Sequence, residues 1–144
     1  MISKFIVIGE NIHCTRIVKR GGKMAPKLDD GREVIAFECQ GRKMHLPIPD
    51  CFRKTGDWEA GKVKHFAVAI WQGVYGQGVE RQAGFDYIQA MAKDQESNDA
   101  AFLDINVDEF GTDVAERMRL IQWTADVVQK ASNLPLSIDS SNQA

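Results

Sequence analysis

Three short segments of this chain carry side chains suited to gripping a polar ligand. Gly9-Glu10-Asn11 follows the apolar run Phe5-Ile6-Val7-Ile8. Asp104 and Asn106 lie within Ala101–Val107, with Asp108-Glu109 just beyond. Asp139-Ser140-Ser141-Asn142 closes the run that starts at Leu134. An ionised carboxylate only accepts, and it can take two parallel N–H donors with charge assistance. Asn donates and accepts at once, so it can serve a neighbouring ring nitrogen and carbonyl. One buried Asp ringed by Asn and Ser therefore suits a heterocycle that offers a ring N–H beside an exocyclic amino group. A pterin has such an edge, and so do other amide-bearing heterocycles.

These residues need elements that bring them to one place. Phe5-Ile6-Val7-Ile8 is continuously apolar, as in a parallel strand buried on both faces, and predicts a strand over Lys4–Gly9. Ala101–Val107 and Leu134–Asp139 predict two more. Val63, Phe66, Ala67, Ile70, Trp71 and Val74 recur at helical spacing and predict a helix over Trp58–Tyr75. A second helix is expected over Val79–Asp94, with Phe85, Ile88, Met91 and Ala92 on one face. A third is expected from an N-cap at Thr112 or Asp113 to Ser132, with a stripe of Val114, Met118, Ile121, Ala125 and Val128. Val34–Cys39 and Lys43–Ile48 read as a hairpin turning at Gly41-Arg42, with Pro47 and Pro49 ending the second arm. Strands that alternate with helices argue for α/β architecture and parallel βαβ units. Their carboxyl ends then share one face, where ligands bind in barrels and open sheets alike.

Composition narrows the function classes. A formal net charge of −2 supplies no field for nucleic acid. No apolar stretch is long enough to span a bilayer, and no signal-peptide core is expected at the amino end. Three cysteines form no disulfide framework, so a reducing cytoplasm is the expected location. His13, Cys14, Cys39, His45, Cys51 and His65 lack the spacing of a metal site, so no metal is expected.

Phe5-Ile6-Val7-Ile8-Gly9-Glu10-Asn11-Ile12 resembles the opening strand of the methyltetrahydrofolate–corrinoid methyltransferases. Leu103-Asp104-Ile105-Asn106-Val107-Asp108-Glu109 resembles their second strand, and also the folate domain of cobalamin-dependent methionine synthase. Leu136-Ser137-Ile138-Asp139-Ser140-Ser141-Asn142 is similar to their third, in which a pterin-binding Asp precedes Ser. The first turn departs from the pattern, with Asn11 where Arg is common and His13 where Asn is common. The resemblance implies that residues 1–144 are the N-terminal part of a pterin-binding (β/α)8 TIM barrel, contributing three of its strands, with an insertion at about 14–78. It implies that Asp139, Asn106, Asp104, Asn142 and Glu10 bind the pterin of a methylated tetrahydrofolate. The methyl acceptor would be the cobalt of a cobalamin-type corrinoid on a partner protein or domain. Later strands would complete the site, so this stretch alone is expected to be inactive. No residue stands out as the general acid.

Each site residue also has a structural alternative. Asp139 can cap a following helix. Asp104, inside an apolar strand, can serve as a hydrogen-bond hub. Glu10 can pair with a neighbouring strand. Two other functions compete. One is a dihydropteroate synthase-like enzyme, whose usual first-strand Asn and later Lys, Arg and His phosphate contacts are not seen. The other is a non-catalytic barrel fragment that serves as an interaction module. Open sheet edges would also allow a homodimer.

Overall fold

A computed structural model describes residues 8–107 and 113–138, with residues 8–11 as backbone alone. In chain order, β1 (Ile8–His13) and β2 (Ile17–Lys19) precede the hairpin arms β3 (Val34–Cys39) and β4 (Arg42–Pro47). A 3-10 turn (Asp50–Lys54), α1 (Gly56–Glu59) and β5 (Lys62–Lys64) lead into α2 (His65–Tyr75) and α3 (Gly78–Ser97). The chain then alternates through β6 (Phe102–Asn106), α4 (Val114–Ala131) and β7 (Leu136–Ile138).

The fold is α/β. Its central sheet has the order β1-β6-β7, and both pairings are parallel. This is the arrangement expected for the three apolar runs, with their carboxyl ends together. β1 runs further than expected: Gly9-Glu10-Asn11 lies inside it, and the strand continues to His13. The register moves from Gly9↔Leu103 to Ile12↔Ile105, so β1 spends one extra residue there as a bulge. Polar residues at that point had suggested a strand end; pairing with β6 holds the backbone extended through them.

Leu103 and Ile105 of β6 are fully buried and share one core with Ile12, Tyr87, Ile88, Leu120 and Val128. α3 and α4 both pack on β6. α2 is buried almost all round, with Phe66, Val68, Ala69 and Ile70 at 1% exposure or less, as befits a helix enclosed by other elements. β3 and β4 form a separate antiparallel ribbon against α3, apart from the parallel sheet. Their Ile35 and Leu46 join the same core, so the ribbon is an integral part of the packed body.

Three expectations about the elements need correction. The hairpin turns at Gln40-Gly41, not Gly41-Arg42; Cys39 pairs with Arg42 across it. Both turn residues take positive φ (51° and 77°), the geometry a tight two-residue hairpin requires. The helix expected over Trp58–Tyr75 is broken. α1 stops at Glu59, Gly61 turns with φ 77°, and Lys62-Val63-Lys64 pairs antiparallel with β2. Alternation of Lys, Val and Lys was the strand signal, masked by the apolar residues that follow. On α4 the buried stripe is Leu120, Thr124, Val127 and Val128, whereas Val114 and Met118 are 49% and 63% exposed. Thr124 can be buried because its hydroxyl donates to the Leu120 carbonyl at 2.7 Å, which satisfies the polar atom locally. The caps of α4 are as expected: the Asp113 carboxylate accepts from Ala115 N at 3.0 Å, and Ser132 ends the helix.

Candidate functional site

The carboxyl edge of the sheet is built by β6 and the turn that follows β1. Side chains alternate along a strand, so Phe102, Asp104 and Asn106 face away from buried Leu103 and Ile105. Asp104 is level with Ser137 of β7, and Asn106 with His13 of β1. Asp104 and Ser137 are half-buried and Asn106 is buried, so this face grades from partly open to closed toward its edge.

The turn His13-Cys14-Thr15-Arg16 clamps onto the end of β6. Cys14 N donates to the Asn106 carbonyl at 2.9 Å, and Arg16 N donates to the His13 carbonyl at 3.0 Å. The Cys14 thiol, fully buried, points at Asn106 Oδ1 at 3.8 Å. That contact is a weak S–H···O bond, but it orients the amide, turning its NH2 away from the sulfur. His13 Nδ1 and the Thr15 hydroxyl are hydrogen-bonded to one another. The edge therefore gathers a carboxylate, an oriented amide, a hydroxyl and an imidazole within two adjacent strands and one turn. Such a set can bind and orient a heterocycle through complementary donors and acceptors.

Of the residues expected to bind ligand, the structure brings together Asp104 and Asn106 on one face of β6. Glu10 lies at the bulge of β1, with its side chain outside what is described. Asp139 and Asn142 lie outside the described residues. Sequence reasoning treated His13 and Cys14 as isolated. Their signal was position: they end β1 and begin the turn beyond it, where a parallel sheet places its ligand groups. Among the described residues, no group of three His, Cys, Asp or Glu could hold a metal ion, and no helix is long and apolar enough to cross a membrane.

A second polar pair lies deeper. His65 Nδ1 and the Tyr87 hydroxyl are hydrogen-bonded within a cage that includes Phe37 and Phe66. Burial, with a smaller contribution from the positive charge of Arg16, pushes the His65 pKa down to about 4. Burial alone raises that of Tyr87. The phenol therefore remains protonated and the imidazole neutral.

The thiols offer a direct check on this edge. Cys51 is exposed, Cys39 half-buried and Cys14 buried. A thiol-specific reagent should modify Cys51 fast, Cys39 slowly, and Cys14 only on unfolding, because attack needs an accessible thiolate. Rapid labelling of Cys14 in the native protein would mean that the turn does not close over Asn106.

No family model, curated protein or solved structure matches this chain.

Proposed function

We propose that these residues are the first three strand units of a pterin-binding (β/α)8 barrel. In this reading the barrel binds a methylated tetrahydrofolate and passes its methyl group to the corrinoid of a partner protein. The observation that carries the reading is the sheet. Its three strands lie side by side in chain order, all parallel, with helices between them, as successive staves of such a barrel do. Asp104 and Asn106 at its carboxyl edge are the residue types a pterin edge needs. Exposed Ile138 on β7 is consistent with a further stave beside it.

The corrinoid would supply the cobalt that accepts the methyl group. The chain's own residues would hold the pterin. Asp139, next in sequence after β7, would accept the paired N–H donors of the pyrimidine edge. Asn106, oriented by Cys14, would serve a neighbouring ring nitrogen or carbonyl. Asp104 would support the arrangement from within the strand. The dihydropteroate synthase-like reading shares the barrel, but no observation favours its phosphate chemistry.

Calorimetric titration of the complete protein with methyltetrahydrofolate tests the proposal. Saturable binding is expected, and Asp139→Asn should weaken it at least ~30-fold, or about 2 kcal/mol. An amide presents only one oxygen and turns its NH2 toward the ligand's own donors. Asp104→Asn should cost less affinity and more thermal stability. Absence of binding, or an Asp139→Asn variant that binds like wild type, would refute the assignment.

A further inference from the structure

Away from the sheet edge, the insertion and two helices enclose a pocket of about 330 Å³. That is at the lower end of the range for small-molecule sites. Its walls come from the 3-10 turn, α1, β5, α2 and the first turn of α4. Phe52, Trp58 and Trp71 supply aromatic surface, and Val63 and Ala67 are buried apolar lining. Three aromatic side chains around one small cavity favour a flat, apolar guest that can stack or meet ring edges.

Charge decides what that guest does not carry. Two carboxylates, Asp57 and Glu116, and two ammonium groups, Lys62 and Lys64, line the pocket, so its walls have no net charge. Asp57 Oδ2 and Lys64 Nζ already pair at 3.3 Å. A guest with a net charge of either sign would give up hydration without meeting a surplus of the opposite sign. An aromatic cage for a quaternary ammonium, for example, is built around surplus negative charge and open ring faces. Here the Arg20 guanidinium lies 4.1 Å from the Trp58 ring centroid and covers one face. A neutral guest loses least on entry.

The two indoles decide what the guest does carry. Among the described residues, neither Trp58 nor Trp71 uses its ring N–H in a hydrogen bond, although Trp58 is only 6% exposed and Trp71 is half-buried. Among the same residues no side-chain nitrogen is shut away from solvent without a partner, so both N–H groups reach open space. An indole N–H only donates, and the Arg20 guanidinium has no acceptor to offer Trp58. A tryptophan buried this far usually finds an acceptor. We propose that this pocket binds a small, neutral aromatic molecule bearing a carbonyl or ether oxygen, with its ring among Phe52, Trp58 and Trp71 and its oxygen on one of the two indole N–H groups. The site is separate from the sheet edge and stands whether or not that edge binds a pterin.

Calorimetry on the full chain with coumarin tests this, against anionic coumarin-3-carboxylate, cationic N-methylquinolinium and zwitterionic tryptophan. One coumarin should bind per chain, at least ~10-fold more tightly than any charged analogue, because an uncompensated charge costs at least that much to desolvate. Bound coumarin should slow modification of Cys51, which lines the pocket, and leave the rate at Cys39 unchanged. Trp58→Phe and Trp71→Phe each keep an aromatic ring and remove the N–H, and one of them should weaken coumarin about 3- to 10-fold, the worth of one hydrogen bond. Lys62→Gln, an exposed substitution, should leave coumarin affinity within about twofold and shift the charged analogues in favour of N-methylquinolinium, since the walls then carry net negative charge. No saturation at millimolar coumarin, tighter binding of any charged analogue, an unchanged Cys51 rate at saturation, or full affinity in both Trp→Phe variants would each overturn the proposal.

Discussion

Gly84→Val is expected to cost about 3–5 kcal/mol, and Gly84→Ala somewhat less, because α2 and α3 cross backbone to backbone at this residue. A Cβ at Gly84 would lie 2.5 Å from the Ala69 carbonyl oxygen and 2.7 Å from Gly73 N, both in α2. Neither atom can swing aside as a side chain would, so the helices must part. Parting them opens the core around Ala69, Ile70, Ile88 and Ala92. Nor can α2 slide freely, because a Cβ at Gly73 would meet the ring of Trp123 on α4. A domain of this size typically has about 5–15 kcal/mol in total, so a loss of this order removes a large share of it. The melting temperature should fall by roughly 10 °C or more. Gly56→Ala is the control. A Cβ there meets nothing within 4 Å, and melting should change by no more than that of an ordinary surface variant. If Gly84→Ala melts like Gly56→Ala, the close crossing of α2 and α3 is wrong.

Acidification should remove about 3 kcal/mol through His65 alone. Its pKa in the folded protein is about 4, against an ordinary value of 6.5. Below pH 6.5 the unfolded chain takes up a proton that the folded chain refuses. Stability therefore falls as pH drops from about 6.5 to about 4, then levels off with respect to this group; above about pH 7.5 it contributes no slope. The cause is first desolvation, then repulsion from Arg16. His65 is also the first residue of α2, where the helix dipole disfavours a cation. Burial also keeps the Tyr87 hydroxyl protonated, so it offers no phenolate to balance a cationic imidazole. Glu33, held below its usual range chiefly by its hydrogen bond from Arg20, and Asp30, held low by hydrogen bonds from the Arg32 backbone and side chain, add acid sensitivity below their own ordinary values of 4.5 and 3.8. Denaturant titrations from pH 4 to 8 on wild type and His65→Gln separate these contributions. Gln keeps a hydrogen-bond partner for Tyr87 but does not titrate, so its slope between pH 5 and 6.5 should nearly vanish. Equal slopes in the two proteins would show that His65 is not the group responsible.

The sequence by itself determined the parallel sheet. Ala101–Val107 is apolar enough to be buried on both sides, and the stretch around Phe85 has the length and period of a crossover helix. Asp113 and Ser132 bounded α4 for a local reason, since caps act through hydrogen bonds only a few residues away. Asp104 and Asn106 were legible as a polar face because strand alternation is also local.

What tertiary structure decided depended on partners distant in sequence. β1 continues through Gly9-Glu10-Asn11 because β6, about ninety residues on, pairs with it. Lys62-Val63-Lys64 is a strand because β2 offers an edge. Val114 and Met118 fit a helical stripe as well as Leu120, Thr124 and Val127 do; only the positions of the sheet and neighbouring helices chose which face was buried. Cys14 and Asn106, 92 residues apart, meet through strand register, and no spacing rule along one chain encodes such a meeting. The aromatic pocket likewise joins residues from the 3-10 turn to the first turn of α4. Local propensity sets which elements can form, but burial of one shared core sets where they lie, and the chemistry at their edges follows from that placement.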